Sequence, residues 1–407
     1  ASAAGMLKAE LKLLGSRLLA FAHESSVPAG GALAVDREQF ASLVTDALVQ
    51  AGVARIEAEV VGIDPSGALI IEDAHHEESH VLEDPAPFCI IATGPLTSPA
   101  LAESLRTLTG EDHLSFYDAA APIVYADSLD HDVVFGQSRY EEGAGDYLNA
   151  PFNKEEYEAF AQELIDARCV IKKEFESSDL FQACQPIEEI ARKGFDAPRF
   201  GPLKPVGLVD PRTQKRPWAV VQLRAEGRDK QCYNLVGFQT NLAFPEQERV
   251  FRMIPGLDQA QFARYGVMHR NTFINAPELL NCHLELQSAA SRALPVRLYV
   301  AGQLSGTEGY VEAIASGLLA SLSVRGAARG IELDPLPRES AFGALIDYAT
   351  DPETKDYQPM HVNFGILLPF EERIRNKQQR YEAYAQRGSE AMKSYVSALG
   401  QLLEGTN

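Results

Sequence analysis

The sequence has few residues from which a covalent or metal-bound framework could be built. Its 407 residues include only five cysteines, which are Cys89, Cys169, Cys184, Cys232 and Cys282. They are scattered, odd in number and without CxxC spacing, which argues against a disulfide framework or a zinc cluster. Thiols without bridging partners are typical of a reducing compartment, so we predict a cytoplasmic protein.

Basic residues and long apolar runs are scarce as well. The chain has 37 Lys and Arg against 57 Asp and Glu, a formal net charge of −20. Its overall field therefore offers no attraction to nucleic acid, and any RNA-binding face must be a local basic patch. No apolar run approaches the length of a bilayer span, and no charged-then-apolar leader opens the sequence. We expect neither membrane insertion nor export.

One histidine-rich stretch could suggest a metal site. The string DAHHEESH at 73–80 places His75, His76 and His80 beside two glutamates. We favour a solvated acidic loop, because the sequence has no second ligand cluster to complete a coordination sphere. The prediction is that the protein holds no metal.

The most informative stretch is 298–320, LYVAGQLSGTEGYVEAIASGLLA, which predicts a strand, a glycine turn and a helix. Gly302, Gly306 and Gly309 lack a Cβ, so the backbone of the turn can pass close to a bound group. The apolar residues that follow recur with helical spacing. The first turn of that helix could bind the pyrophosphate of a dinucleotide. An ordinary strand-to-helix turn without a ligand explains the same residues equally well.

The order of predicted elements indicates an α/β fold. We predict a helix over Met6–Leu19 and strands over Ile56–Val60, Ala68–Ile71 and Phe88–Ala92. The last strand ends in Thr93-Gly94-Pro95, at the carboxyl edge of the sheet, where open α/β sheets bind ligands. From about residue 118 the alternation of strands and helices is lost, which indicates an inserted α+β domain. The predicted division is a discontinuous Rossmann-like domain at 1–117 and 291–345, an insertion at 118–290 and a helical segment at 346–407.

Basic residues gather in one part of the predicted insertion. The cluster consists of Lys204, Arg212, Lys215, Arg216 and Arg224. Such a cluster is usually a solvated face, but it is the best local candidate for contacts with phosphate groups. The charged helix after Glu371 offers the same two interpretations.

Long strings of the sequence resemble one known family, the folate- and FAD-dependent uracil-5-methyltransferases of tRNA. The strings are SVPAGGALAVDR at 26–37, IIATGPLTS at 90–98, TGEDHLSFYDAAAPIV at 109–124, YNLVGFQTNL at 233–242, RYGVMHRNTFIN at 264–275, AGQLSGTEGYVEAIASGL at 301–318 and YQPMHVNFGILLP at 357–369. The resemblance spans essentially the whole chain.

The resemblance implies both a fold and an activity. The fold would be a glucose-inhibited-division-protein-like FAD-binding domain interrupted by an insertion domain. The activity would form 5-methyluridine in the tRNA T-loop, with methylenetetrahydrofolate as carbon donor, reduced FAD as reductant and NAD(P)H to reduce the flavin. Two alternatives stay open, namely the same chemistry on ribosomal RNA and a shortened flavin- or RNA-binding protein without catalysis. The oligomeric state is not predicted.

The sequence departs from the family at its beginning. Family members start with a strand and a GxGxxG turn that binds the FAD diphosphate, followed by a CSNSLR segment with one of two functional cysteines. This chain begins at the helix that follows them. We expect that the printed sequence lacks its native start; the alternative is a shortened protein.

Uracil methylation at C5 requires a nucleophile, because the ring is electron-deficient. A thiolate that adds to C6 makes C5 able to attack an electrophilic methylene, and a base then removes the C5 proton. Cys184, in LFQACQPIEEIA, matches the family's second functional cysteine and is the candidate nucleophile or acid-base thiol. Without the resemblance it would be interpreted as a small buried hydrophobe. Pro186 is consistent with a helix that begins just after Cys184.

The remaining candidate residues fall into two groups. The glycine pattern and the resemblance together predict six flavin neighbours: Thr93, Gly94, Gly302, Gln303, Gly309 and Tyr310. Weaker candidates for contacts with substrate or RNA are Lys204, Arg216, His269, Arg270 and Asn271.

Overall fold

The computed structural model describes most of the chain. It describes residues 2–30, 32–73, 79–82, 86–110, 114–139, 145–170, 185–226, 230–354, 357–372 and 374–404. The chain divides into two compact units. Unit 1 consists of Ala1–Ala20, Val49–Ser115 and Asn271–Asn407, and unit 2 consists of Phe21–Leu48 and Phe116–Arg270.

Unit 1 is built from parallel strands, a small antiparallel sheet and helices. Its elements are α1 Ala3–Leu13, β3 Glu59–Ile63, β4 Leu69–Glu72, β5 His80–Val81, β6 Phe88–Ile91, α4 Pro99–Thr109, α9 Ala276–Leu279, α10 Ala289–Arg292, β15 Arg297–Val300, α11 Tyr310–Ala328, α12 Ala341–Thr350 and α13 Lys377–Glu404. Strands β6 and β15 pair in parallel, whereas β3, β4 and β5 form an antiparallel sheet. The parallel pair is the part of unit 1 that positions the candidate site.

Helix α11 covers the parallel pair. Its Ala320 packs with Tyr299 and Ala301 in a buried cluster. It is also the one helix among the described residues that is long and apolar enough, by length and composition alone, to cross a membrane. The prediction that no apolar stretch reaches this length was therefore wrong for α11. The buried face of the helix explains its apolar composition, because a helix packed on a sheet is apolar there.

A buried glutamate joins the helices of unit 1. Glu10 of α1 is 2% exposed, and its carboxylate accepts the backbone N–H groups of Ala341 and Phe342 at 2.9 and 2.8 Å. These N–H groups lie in the first turn of α12, where backbone N–H groups have no carbonyl partners within the helix. Burial raises the pKa of Glu10 to about 7. The stability of this helix contact therefore depends on pH.

Two predicted elements of unit 1 have different bounds in the structure. The helix predicted over Met6–Leu19 is interrupted at Gly15, which has φ +71°, and α2 continues from Arg17 to Glu24. The strand predicted over Ile56–Val60 begins only at Glu59, and Ile56 is exposed. Alternating apolar residues predict a strand only if one face is buried, and here that condition fails.

Unit 2 is an antiparallel sheet with helices packed against it. Its elements are β1 Ser26–Val27, β2 Ala34–Val35, β8 Ile123–Tyr125, β9 Phe135–Gly136, β10 Tyr147–Phe152, α5 Lys154–Asp166, α6 Ile187–Lys193, α7 Ala197–Phe200, β11 Ala219–Glu226, β12 Cys232–Leu235, α8 Phe244–Phe251 and β13 Phe262–Arg264. Six strands form one sheet in the order β13-β8-β12-β11-β10-β9. Its core contains Phe152 and Phe160, whose ring centroids are 5.1 Å apart. This architecture is the α+β type expected of the insertion.

Four elements cross the boundaries between the units. They are α2, α3 Arg37–Gln50, β7 Leu114–Ala119 and β14 Met268–Phe273. Strands β7 and β14 pair with each other. Helix α3 is capped by Asp36, whose carboxylate accepts the N–H of Gln39 at 3.0 Å.

The contact-based division differs from the predicted domains in two segments. Residues 21–48 lie in unit 2, because the N–H of Gly30 donates to Asp146 at 2.7 Å and the hydroxyl of Tyr147 donates to the carbonyl of Ala29 at 3.2 Å. Residues 271–290 lie in unit 1, where the N–H of Leu286 donates to the carbonyl of Leu298 at 2.8 Å and the N–H of Val300 donates to the carbonyl of Leu284 at 2.9 Å. The domain boundaries at 117, 290 and 345 stay a prediction.

Candidate functional site

The carboxyl ends of β6 and β15 form one edge. The two strands are parallel, Ile91 is paired with Val300, and the N–H of Ala301 donates to the carbonyl of Ile91 at 3.0 Å. The turn with Thr93 and Gly94 and the turn with Gly302 and Gln303 therefore leave the sheet side by side. This is the position where open α/β sheets bind ligands.

A third segment fastens both turns. The N–H of Thr272 donates to the carbonyl of Pro95, and the N–H of Ile274 donates to the carbonyl of Leu304, both at 2.9 Å. Asn271, one of the weak candidates for substrate or RNA contacts, is 2% exposed. His269 and Arg270 precede it in β14, and roles for their side chains stay predictions.

A fourth segment lies along the glycine turn. The N–H of Met360 donates to the carbonyl of Gly306 at 2.9 Å, and the N–H of Glu308 donates to the carbonyl of Met360 at 3.0 Å. The buried hydroxyl of Tyr357 donates to the carbonyl of Ser305 at 2.8 Å. The structure thus brings together four of the strings on which the family resemblance was based.

Two glycines at this edge face open space. Gly94 has φ +74°, and a Cβ added there would meet no atom within 4 Å. Gly302 has φ +72°, and the nearest atom to its added Cβ would be the Cβ of Ala313 at 4.0 Å. Left-handed backbone favours glycine, and the absence of a side chain leaves main chain accessible. The edge therefore fits a planar cofactor such as a flavin, which can lie directly against the backbone.

Two other glycines of the turn are required by packing within the protein. A Cβ on Gly306 would lie 2.0 Å from the hydroxyl oxygen of Tyr357, and one on Gly309 would lie 2.3 Å from Oε2 of Glu312. These contacts explain both glycines without a ligand. Gly309 as a cofactor-binding residue stays a prediction.

Buried hydroxyls hold the main chain of Gly302 in place. Its N–H donates to Oγ of Ser316 at 2.9 Å, and its carbonyl accepts hydrogen bonds from Ser305 and Thr307 at 2.8 and 2.9 Å. The three hydroxyl residues are fully buried. Sequence reasoning missed this network, since serine and threonine carry no distinctive spacing; only the resemblance string 301–318 contains them.

The other flavin candidates differ in exposure. The side-chain amide of Gln303 donates to Glu308 at 2.7 Å. Oγ1 of Thr93 lies 2.7 Å from Oγ1 of Thr97, which in turn donates to the carbonyl of Gly94. Tyr310, the first residue of α11, is 93% exposed. These side chains remain candidates, and they all belong to unit 1.

A carboxyl group lies at the beginning of α11. Glu312 is buried, one of its oxygens accepts the N–H of Val362 at 3.1 Å, and burial raises its pKa. Burial thus disfavours the charged form of this carboxyl.

In unit 2 the structure describes the residues that follow the predicted nucleophile in sequence, from Gln185 onward. Cys184 lies outside the described residues. Helix α6 begins at Ile187 after Pro186, as predicted, and the N–H of Ile187 donates to the carbonyl of Gln239 at 2.7 Å. The helix start that follows Cys184 is therefore fixed to the core of unit 2.

The first turn of α6 contains a buried acid. The carboxylate of Glu188 accepts the N–H of Asn241 at 2.6 Å and the hydroxyl of Thr240 at 2.9 Å. Burial raises its pKa to about 7. Both donors lie in the segment 233–242, so this segment holds the first turn of α6 in place.

The weak RNA candidates Lys204 and Arg216 are exposed residues of unit 2.

Possible metal ligands were predicted only in the histidine-rich stretch at 73–80. The described part of the chain contains no group of three or more His, Cys, Asp or Glu that could hold a metal. His75 and His76 lie outside it, and Nε2 of His80 is 3.8 Å from a carboxylate oxygen of Asp73.

The family model described as "Glucose inhibited division protein A" matches residues 1–332. The chain belongs to this family. Relatives of known name match nearly all of the chain.

Three such relatives share the name methylenetetrahydrofolate-tRNA-(uracil-5-)-methyltransferase TrmFO. The protein of Heliobacterium modesticaldum is 47% identical over 97% of this chain and 84% of its own length. That of Moorella thermoacetica is 48% identical over 97% and 84%, and that of Bacillus pumilus is 46% identical over 98% and 86%. The chain is therefore a member of the TrmFO branch.

Solved structures of the family show the fold. Form II crystals of Aquifex aeolicus GidA contain a chain that matches with a TM-score of 0.65 at 16% identity, over 99% of this chain and 66% of that one. Form I gives a TM-score of 0.63 at 17% identity, over 98% and 70%. This chain spans about two thirds of the length of these solved chains. The predicted fold class, a glucose-inhibited-division-protein-like α/β fold, is confirmed.

Proposed function

We propose that this protein is a folate- and FAD-dependent methyltransferase that forms 5-methyluridine in the T-loop of tRNA. The observation that carries the proposal is the 46 to 48% identity, over 97 to 98% of the chain, to proteins named for transfer of a methyl group from methylenetetrahydrofolate to uracil C5 of tRNA. The open main-chain edge at Gly94 and Gly302 supports it, because it offers a flavin a fixed backbone surface.

The residues of unit 1 bind and orient the cofactor in this proposal. The backbone at Gly94 and Gly302 would lie against the flavin ring, and Ser305, Thr307 and Ser316 keep the peptide of Gly302 in one conformation. A preorganised polar surface needs no rearrangement during the reaction. Bound FAD in its reduced form supplies the hydride that completes the methyl group.

The thiol chemistry is assigned to unit 2. The thiolate of Cys184 adds to C6 of uracil, and C5 then attacks the methylene carbon supplied by the folate. A base removes the C5 proton as the bond between the methylene carbon and the folate nitrogen breaks, which releases tetrahydrofolate and leaves an exocyclic methylene at C5. Reduction of this methylene by the hydride and departure of the thiolate from C6 restore the ring. Because Cys184 lies outside the described residues, its role rests on the family resemblance alone. NAD(P)H as the source of electrons for FAD and a cytoplasmic location belong to the same proposal.

Analysis of modified nucleosides tests the activity. Purified protein should be yellow, and NADH or NADPH should bleach the flavin under anaerobic conditions. With labelled methylenetetrahydrofolate, an unmodified tRNA transcript should acquire labelled 5-methyluridine, whereas a matched transcript with cytidine in place of the T-loop uridine should not.

A deletion strain separates the alternatives. Loss of 5-methyluridine from tRNA is the expected result of mass spectrometry. Loss from ribosomal RNA instead would transfer the activity to that substrate. A colourless protein that cannot be loaded with FAD would remove the enzymatic proposal for this chain.

A further inference from the structure

We propose that a basic groove in unit 2 binds the phosphodiester backbone of the RNA substrate. The groove has a volume of about 570 Å³, and its lining includes Asn153, Arg212, Lys215, Arg216, Trp218 and Arg252. The identity of the RNA as tRNA rests on the proposed function. The groove belongs wholly to unit 2, whereas the main-chain edge belongs to unit 1.

A tight hairpin presents three of the cations. The N–H of Asp210 donates to the carbonyl of Lys215 at 3.0 Å, and the N–H of Gln214 donates to the carbonyl of Asp210 at 2.8 Å. Gln214 takes the left-handed conformation, with φ +57°. The Asp210 carboxylate is 4% exposed and accepts the backbone N–H and a guanidinium nitrogen of Arg212, both at 2.9 Å. The hairpin is therefore fixed before any ligand binds.

Four cations line the groove, namely Arg212, Lys215, Arg216 and Arg252, against three carboxylates. Among the carboxylates, Asp210 is paired with Arg212, and Glu156 accepts the N–H of Asn153 at 2.9 Å but keeps its charge. Asp258 is the third. Lys215 and Arg216 are exposed, and neither takes part in an ion pair within the part of the chain that the structure describes. Two cations of the groove are thus available to an anion.

Arg252 places a fixed guanidinium at the groove, and Glu248 balances part of its charge. Its Nε donates to the carbonyl of Ala260 at 3.1 Å, and a terminal nitrogen lies 3.4 Å from Glu248. A cationic groove is notable on this chain, which has 57 acidic and 37 basic residues. Non-specific attraction of RNA to such an acidic protein is unfavourable, so the phosphate contacts must be concentrated in local patches.

The aromatic side chain of the groove is also surrounded by cations. The guanidinium carbon of Arg199 lies 3.6 Å from the ring centroid of Trp218, and Nζ of Lys154 lies 5.6 Å from it. The backbone of Trp218 is fastened by its N–H to the carbonyl of Phe152 at 2.9 Å. With cations over the ring, the groove offers phosphate contacts and no stacking platform for a base. We expect it to position RNA without reading its sequence.

Trp218 is the only tryptophan of the chain, so its fluorescence reports on this groove alone. Binding of an unmodified tRNA transcript to the holoenzyme should change its emission, because phosphate groups alter the field of the cations around the indole. The same transcript should bind with the same Kd in a filter assay.

Neutral variants of the free cations test the groove directly. We expect Lys215→Gln combined with Arg216→Gln to weaken tRNA binding by about tenfold or more. Each lost phosphate contact should lower the slope of log Kd against log salt by about 1, and the effect on turnover should fall on KM. The matched control is Lys12→Gln with Lys393→Gln, two exposed lysines of unit 1, which removes the same charge and should leave the slope unchanged.

Three results would overturn the proposal. One is equal affinity and equal salt slope for the groove variant and the wild type. Another is tRNA binding in the filter assay without any change in Trp218 emission. The third is displacement of tRNA from the groove by pentaglutamyl tetrahydrofolate at low micromolar concentration, which would assign the cations to the folate tail.

The binding test is independent of catalysis. If the protein binds tRNA through the groove but forms no 5-methyluridine, the groove stands and the proposed function falls. If it methylates tRNA with unchanged KM in the groove variant, the function stands and the groove proposal falls.

Discussion

The edge of β6 and β15 in unit 1 presents peptide groups, whereas the groove of unit 2 presents side chains. At the edge, Gly94 and Gly302 expose backbone, and buried hydroxyls fix the peptide of Gly302. In the groove, Lys215 and Arg216 project from a hairpin that Asp210 stabilises. Backbone geometry suits a resident planar cofactor, because its position must be reproducible. Mobile cations suit a long polyanion, because many arrangements of phosphates satisfy them.

The difference also concerns how each surface tolerates change. A side chain added at Gly302 would occupy the space of the ligand, whereas a cation removed from the groove takes away one contact among several. The comparison therefore predicts that one substitution is enough to weaken cofactor binding at the edge, whereas two cations must be removed to weaken RNA binding by a similar factor in the groove.

The largest effect is expected at the proposed nucleophile of unit 2. Cys184→Ala should abolish formation of 5-methyluridine while the flavin spectrum stays unchanged, because the thiolate reacts with uracil and not with the cofactor. The matched control is Cys232→Ala in β12 of the same unit, which should retain turnover. Turnover by the Cys184 variant would remove this cysteine from the mechanism.

The next effect separates packing from ligand binding within unit 1. Gly306→Ala should lower the free energy of unfolding by about 4 kcal/mol, from a left-handed alanine and a clash with Tyr357. Urea unfolding of the flavin-free protein measures it. The control is Gly317→Ala inside α11, where a Cβ meets nothing within 4 Å and alanine should stabilise by about 0.5–1 kcal/mol. Equal stability of Gly306→Ala and wild type would contradict the tight approach of Tyr357.

The buried acids predict a pH dependence that both units share. The pKa of Glu10 rises from 4.5 to about 7 on folding, so between these values the folded state binds more protons than the unfolded state. Stability from this group is then full below pH 4.5 and declines as pH rises to 7, by about 3 kcal/mol. The difference in unfolding free energy between wild type and Glu10→Gln should fall by this amount from pH 4.5 to 8.

Glu188 extends the same test to unit 2. Its pKa is also raised to about 7 by burial, so the difference between wild type and Glu188→Gln should decline over the same range and in the same direction. A difference that rises with pH for either residue would show that its carboxylate is stabilised by its N–H donors more than it is penalised by burial.

The smallest expected effect concerns the open glycine itself. Gly302→Ala should weaken FAD binding by about tenfold, which corresponds to 1.4 kcal/mol, because the new methyl group occupies the open face of the turn. Gly330→Ala is the matched control, since Gly330 has φ +67° and open space at its Cβ but lies beyond the end of α11. Both variants should lose about 1 kcal/mol of stability through backbone strain, and only the first should lose affinity for FAD.

Local patterns predicted the parallel pair well. The strand expected at Phe88–Ala92 is Phe88–Ile91, and the one expected at Leu298–Ala301 is Arg297–Val300. Buried parallel strands are continuous apolar runs bounded by turn residues, so the pattern and the structure coincide. The helix break at Gly15 and the late start of β3 were not predicted, because both depend on what the neighbouring elements cover.

From the sequence, the candidate site could be predicted only as a set of glycine turns; the contacts of each glycine could not. Sequence reasoning treated Gly302, Gly306 and Gly309 alike, and only coordinates distinguish the glycine that faces open space from the two that avoid Tyr357 and Glu312. Contacts such as that between Gly30 and Asp146 join residues more than 100 positions apart, and no local pattern encodes them. The family resemblance indicated which distant strings belong to the same site, which local patterns could not do.

The hydrogen bonds from Thr272 and Ile274 have a consequence for how this enzyme family can change. These two N–H groups are two residues apart, which in an extended chain is about 6.6 Å, and they hold the carbonyls of Pro95 and Leu304. The width between the two turns is thus set by peptide geometry, which every amino acid except proline supplies. Side chains around the two turns can therefore vary through evolution or in a mutant library, while the distance between the carbonyls of Pro95 and Leu304 stays the same.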